Sequence, residues 1–137
     1  MTDKGNFDWV TAQSKCSVGQ IFETLRAQVK TDIETREALR PKSEGHGHYT
    51  FKFSSSNERS FSAILEGHRL RSIVIFSLER QAIIVRNQND VEIFSATTTL
   101  NDEGECRLKV TGQERELWQV RKMALEGLLF GGAEWAT

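Results

Sequence analysis

Leu70-Arg71-Ser72-Ile73-Val74-Ile75-Phe76-Ser77-Leu78 decides how this chain is read. The stretch is rich in β-branched and aromatic residues and is too short for an ordinary helix. Turn formers bound it, Glu66-Gly67-His68 before and Glu79-Arg80-Gln81 after. That is the pattern of a strand. Successive side chains of a strand face opposite ways. Ile73 and Ile75 therefore take one side while Val74 and Phe76 take the other, and this strand is apolar on both.

Working outward, the same period of two recurs. Tyr49, Phe51 and Phe53 alternate with His48, Thr50 and Lys52, and Phe61, Ala63 and Leu65 alternate around Ile64. Further strands are expected over 82–86, 91–99 and 105–110. Turns are expected at 54–58 (Ser-Ser-Ser-Asn-Glu), 87–90 (Asn-Gln-Asn-Asp) and 101–104 (Asn-Asp-Glu-Gly). No connection is long enough for a parallel crossover, so the six strands should form an antiparallel meander.

A helix is expected on each side of it. Ser17-Val18-Gly19-Gln20 has the form of a capping box, with Cys16 placed to staple onto Ile21. Ile21, Leu25, Val29 and Ile33 then recur at helical spacing over 17–39, and Pro41 closes the segment. A second box, Thr111-Gly112-Gln113-Glu114, introduces the stripe Leu117, Val120, Ala124 and Leu128, which stops at Gly131-Gly132. The fold class is α+β, a six-stranded antiparallel sheet flanked by an N-terminal and a C-terminal helix. All 137 residues read as one domain. Its polar arm, residues 1–13, carries Phe7, Trp9 and Val10, which should dock on the core.

Composition excludes several classes. With 38% hydrophobic and 27% charged residues and a net charge of −1, the chain has neither a disordered composition nor a global field for nucleic acid or anionic membrane. Charge is uneven: basic residues exceed acidic ones over 46–86 and the reverse holds over 87–137. No apolar run approaches a membrane span. Cys16 and Cys106 are too few and too isolated for a disulfide framework or zinc finger. They read as free thiols in a soluble cytoplasmic protein.

Chemistry-bearing motifs are thin. His46 and His48 lie close together in a glycine loop, but a metal needs three or four ligands and no thiolate or carboxylate motif accompanies them. No metal or cofactor is expected. There is no nucleophile elbow and no phosphate-cradling glycine loop. His48, His68 and Tyr49 are the polar residues to inspect for catalysis. Nucleic-acid binding is disfavoured, since three same-side aromatics on one strand serve a core better than a stacking platform.

One mismatch points to function. Tyr49, Phe51, Phe53, Phe61, Leu65, Val74, Phe76, Ile83, Val85 and Ile93 form one apolar sheet face, which two helices can cover. Ile64, Ile73, Ile75, Ile84 and Phe94 form a second set of opposite parity, where a solvated face should be polar. Curling of the sheet or cover by the arm would shelter that set, but a second copy is favoured because the arm is short and two-fold contacts are common. The sequence thus reads as a non-catalytic binding or assembly module, a homodimer joined through a sheet face. The alternative is a small apolar-ligand binder or enzyme with a cavity under the C-terminal helix, lined by Phe51, Phe53, Phe61 and Trp118.

Overall fold

The computed structural model describes residues 4–40, 49–67 and 70–131. After a short 3-10 turn at Lys4–Asn6 come α1 (Trp9–Lys15) and α2 (Val18–Leu39). Seven strands follow: β1 (Tyr49–Asn57), β2 (Ser60–Gly67), β3 (Leu70–Glu79), β4 (Ala82–Asn87), β5 (Glu92–Leu100), β6 (Cys106–Val110) and β7 (Gln113–Arg115). Helix α3 (Leu117–Phe130) completes the chain's described part. The strands pair in sequence order as one antiparallel meander, so the fold is α+β with helices before and after the sheet.

Packing on the inner face follows from parity. Phe61 stands opposite Phe76, Phe76 opposite Val85 and Val85 opposite Phe94, a single buried row across four strands. The Phe61 and Phe76 rings stack at 4.7 Å, and Phe22 of α2 meets Phe61 at 5.0 Å. Onto this face α2 lays Phe22, Leu25, Val29 and Ile33, while α3 lays Val120, Ala124, Leu125, Leu128 and Leu129. Burying each such aromatic or aliphatic side chain stabilises the fold by about 1.5–3 kcal/mol before chain entropy is counted.

The start of α2 is as expected, with Ser17 as N-cap accepting from the Gln20 N–H. The start of α3 is not. Thr111 and Gly112 both have positive φ, 54° and 78°, and make a two-residue hairpin turn into β7. The helix is capped instead by Glu116 and Gln119, whose side chains reciprocally bond backbone N–H groups. Thr-Gly followed by two polar residues satisfies two rules at once, and the turn wins because Gly accepts the left-handed conformation at little cost. The strand count rises to seven.

Four other expectations are corrected. Ser54, Ser55, Ser56 and Asn57 extend β1 rather than turning, and the reversal falls at Glu58-Arg59. Phe94 belongs to the inner face and is 8% exposed, whereas Ile93 is turned outward at 45%. The pairing Val85↔Phe94 and then Arg86↔Glu92 skips Ile93, and this bulge inverts the parity of the strand's start. The arm buries none of its aromatics: α1 has no buried residue, and Trp9 and Val10 are largely exposed. Finally, the cysteines are not free. Cys16, between α1 and α2, forms a disulfide with Cys106 at the start of β6, 90 residues away.

Candidate functional site

With α2 and α3 on the inner face, the outer face carries the remaining isoleucines. Ile64 stands directly opposite Ile73. Ile75 follows two residues later on β3, on the same side, between Ser62 and Arg86. Ile84 lies between Ser77 and Ser95. The four side chains run as a diagonal stripe across β2, β3 and β4, with serines at the intervening positions, and each is half-buried. Ile93 and Val91, both exposed, continue the apolar surface at the start of β5. The fifth residue expected here, Phe94, is in the core instead.

Part of the stripe's cover comes from its own rim. Lys52 stands opposite Ile64 and Arg86 opposite Ile75, so their aliphatic stems lie beside the isoleucines while the charged ends reach water. Each rim cation has a carboxylate neighbour. Lys52 bonds Glu66 at 3.0 Å, Arg71 approaches the same carboxylate at 3.9 Å, Arg86 bonds Glu79, and Arg107 lies 3.6 Å from Glu114. The hydrogen bond from Lys52 holds the Glu66 carboxyl below the ordinary carboxylate range, and the bond from Arg86 does the same for Glu79. Asp90 also lies 3.6 Å from Arg86, so four cations meet four carboxylates and the paired rim carries no net charge.

The four residues expected to line a cavity are not brought together. Phe51 and Phe61 are buried in the core and Phe53 packs on Phe61 at 5.8 Å, so ring meets ring where a ligand would sit. Trp118 is 52% exposed and faces away from the sheet. It lines a groove of about 360 Å³ between α2 and α3, with the exposed Leu39 and Phe130 and with the buried Leu125 and Leu129 at its floor. Arg121 spans the helices there, bonding Asp32 at 2.7 Å and Gln28 at 2.6 Å. At the foot of the groove Arg36 donates to the Leu129 carbonyl at 2.8 Å, its guanidinium over the Phe51 and Phe130 rings.

Of the polar residues singled out for catalysis, His48 and His68 lie outside the described residues, as does His46. Tyr49 is buried at the edge of the sheet, with its ring edge-on to Phe51 and beneath the Arg40 guanidinium. Beside it the Glu37 carboxylate accepts the Phe51 N–H at 2.9 Å and pairs with Arg40 at 2.8 Å. That arrangement caps an edge strand and commits the Glu37 carboxylate to Arg40 and the Phe51 N–H. Among the described residues no group of three or more His, Cys, Asp and Glu is placed to hold a metal ion. No described helix is long and apolar enough to cross a membrane.

Sequence reasoning missed the helix-pair groove because Leu39, Trp118 and Phe130 fit an amphipathic stripe as well as an exposed one. No protein family, curated protein or solved structure matches the chain.

Proposed function

We propose that the protein is a non-catalytic binding module that self-associates through the outer face of its sheet. The observation that carries this reading is the contiguous stripe of Ile64, Ile73, Ile75 and Ile84, which lies opposite both packed helices. A second copy is the occupant best matched to it. Serines between the isoleucines leave room for a facing sheet's side chains to interdigitate at the usual separation of about 10 Å. The ion-paired rim brings no net charge that would repel a copy of itself. A two-fold contact would bury the stripe and the exposed Ile93 together.

Sedimentation equilibrium tests the reading. A dimer at micromolar concentration is expected, and Ile75→Glu should return it to monomer while the circular dichroism spectrum stays unchanged. A wild-type protein that is strictly monomeric at that concentration overturns it, as does a dimer indifferent to the substitution.

Compartment bears on this module. A cytoplasmic setting suits the absence of a spanning helix among the described residues, but a persistent disulfide fits an oxidising environment better. Trapping the thiols in freshly lysed cells separates the two, since alkylated Cys16 and Cys106 would place the protein in a reducing compartment.

A second reading rests on the helix-pair groove, whose volume of about 360 Å³ and exposed Trp118 suit a small apolar ligand. It replaces the enclosed cavity expected beneath α3. A shift of tryptophan fluorescence on titration with an apolar probe supports it only if Leu39→Asp, at an exposed position of the groove, abolishes the shift.

A further inference from the structure

The Cys16–Cys106 disulfide lies at a cleft that neither reading uses. Its two ends differ in access: Cys16 is 5% exposed, whereas Cys106 is exposed. Cys106 lines a cleft of about 280 Å³ with the cations Arg107 and Arg115, the carboxylate of Glu116, and Ile21, Thr24, Leu108 and Leu117. Arg115 stands directly opposite Leu108, two residues from Cys106 on the same side of the sheet. That makes Arg115 a diagonal cross-strand neighbour of the cysteine, roughly 7–8 Å away at the backbone and within reach of a long side chain.

The charge of Arg115 is not spent within the protein. Its guanidinium makes one hydrogen bond, to the neutral Gln113 amide at 2.7 Å, and its Nε is buried without a partner. Among the described residues it forms no ion pair with a carboxylate. Nearby Glu116 accepts from the Trp118 indole, and Glu114 is shared between Arg107 and Asn101. A buried guanidinium Nε left unsatisfied is costly, and an acidic group entering the cleft would give the guanidinium the carboxylate partner it lacks.

We infer that this cleft is a thiol–disulfide exchange site for a small thiol bearing carboxylates, with Arg115 binding the carboxylate and Cys106 receiving the sulfur. The incoming thiol, having lost its proton to solvent, attacks Cys106 Sγ. A new S–S bond forms to Cys106, the Cys106–Cys16 bond breaks, and its electron pair leaves on Cys16 as thiolate. That thiolate sits one residue before the N-cap of α2, where the helix's free N–H groups favour negative charge, and it then takes a proton from water. A second molecule of the same thiol regenerates Cys106 as thiol and departs as the symmetrical disulfide. After the first attack the protein carries the small thiol on Cys106, and after the second both cysteines are thiols; in either state the covalent tie between the α1–α2 junction and β6 is released.

The test compares glutathione, a dicarboxylate thiol, with cysteamine, a cationic one, as attackers of the oxidised protein. Rates are normalised to each reagent's thiolate concentration and read by mass spectrometry after acid quench. Glutathione is expected to react at least about five-fold faster at 20 mM ionic strength, with the adduct on Cys106. The preference should shrink toward unity at 1 M salt, where the Debye length is about 3 Å. Arg115→Gln should remove most of the preference and Arg107→Gln less of it, because Glu114 already offsets Arg107. Equal normalised rates in the wild type, or an adduct mainly on Cys16, would overturn the inference. The wild-type comparison and its salt dependence decide the matter even if a variant does not fold.

Discussion

The two faces of the sheet are made from the same strands and both carry apolar rows, yet they differ in kind. Inside, Phe61, Phe76, Val85 and Phe94 meet across four strands and disappear beneath two helices. Outside, Ile64, Ile73, Ile75 and Ile84 alternate with serines and stay half-buried behind a rim of ion pairs. Aromatic bulk suits a thick helix-covered layer, whereas β-branched side chains between serines make a flatter surface. Hydrophobicity alone therefore does not identify a core; volume and neighbours do.

The two faces should diverge most at the bulge, where the neighbours Ile93 and Phe94 differ most in burial. Phe94→Ala should cost about 3–5 kcal/mol in urea unfolding, as expected for a buried ring, and Ile93→Ala about 1 kcal/mol or less. Comparable losses at the two positions would mean that the register of β5 is misassigned.

Next in size is the disulfide, which borders the inner face at β6. Replacing both cysteines by serine should lower stability by about 2–4 kcal/mol, with an undiminished urea m-value. A loss below about 1 kcal/mol would show that the reduced chain is already held by its core.

A smaller effect is expected on the outer face. Ile75→Ser should cost the monomer about 0.5–1 kcal/mol, since the side chain is half-covered. A penalty near that of Phe94→Ala, measured below the dissociation concentration, would show the stripe to be core after all.

The smallest effect is electrostatic. Burial pushes the Glu37 carboxyl up, but the Arg40 bond and the Phe51 N–H outweigh it and hold the group below its ordinary 4.5. A carboxyl depressed in the folded state stabilises fully above its unfolded value and loses that contribution as pH falls through its folded value. Stability should therefore decline below pH 4.5, by about 0.5–1 kcal/mol from this partly exposed group. In Glu37→Gln that component of the decline should vanish, and an unchanged acid limb in urea titrations would remove Glu37 from the account.

Much of this was legible in the chain, for physical reasons that can be named. The meander followed from short connections, and α2 from Ser17 and the spacing of Leu25, Val29 and Ile33, because local signals set both. The parity of Ile64, Ile73, Ile75 and Ile84 was also readable, since a period of two survives wherever the ladder is regular. It failed at Ile93 because a bulge is a property of two paired strands, and a single strand's pattern does not record it. Thr111-Gly112 failed because a hairpin turn and a helix cap ask for similar residues. Cys16 and Cys106 failed because a lone distant pair has no spacing signature; only the fold brings their Cα atoms within 5.3 Å. Of the candidate site, the sequence supplied the residues and the structure supplied their adjacency.

The disulfide also fixes how the molecule would respond to tension. It closes a ring from Cys16 to Cys106 that contains α2 and β1 to β5. A pull applied at residues 1 and 137 would bypass that ring and could draw out only the arm and the segment from β6 onward. At about 3.3–3.6 Å per residue those outer stretches reach roughly 150–165 Å. Full extension would be about three times longer, so a single-molecule trace should stop short until a reducing agent is added.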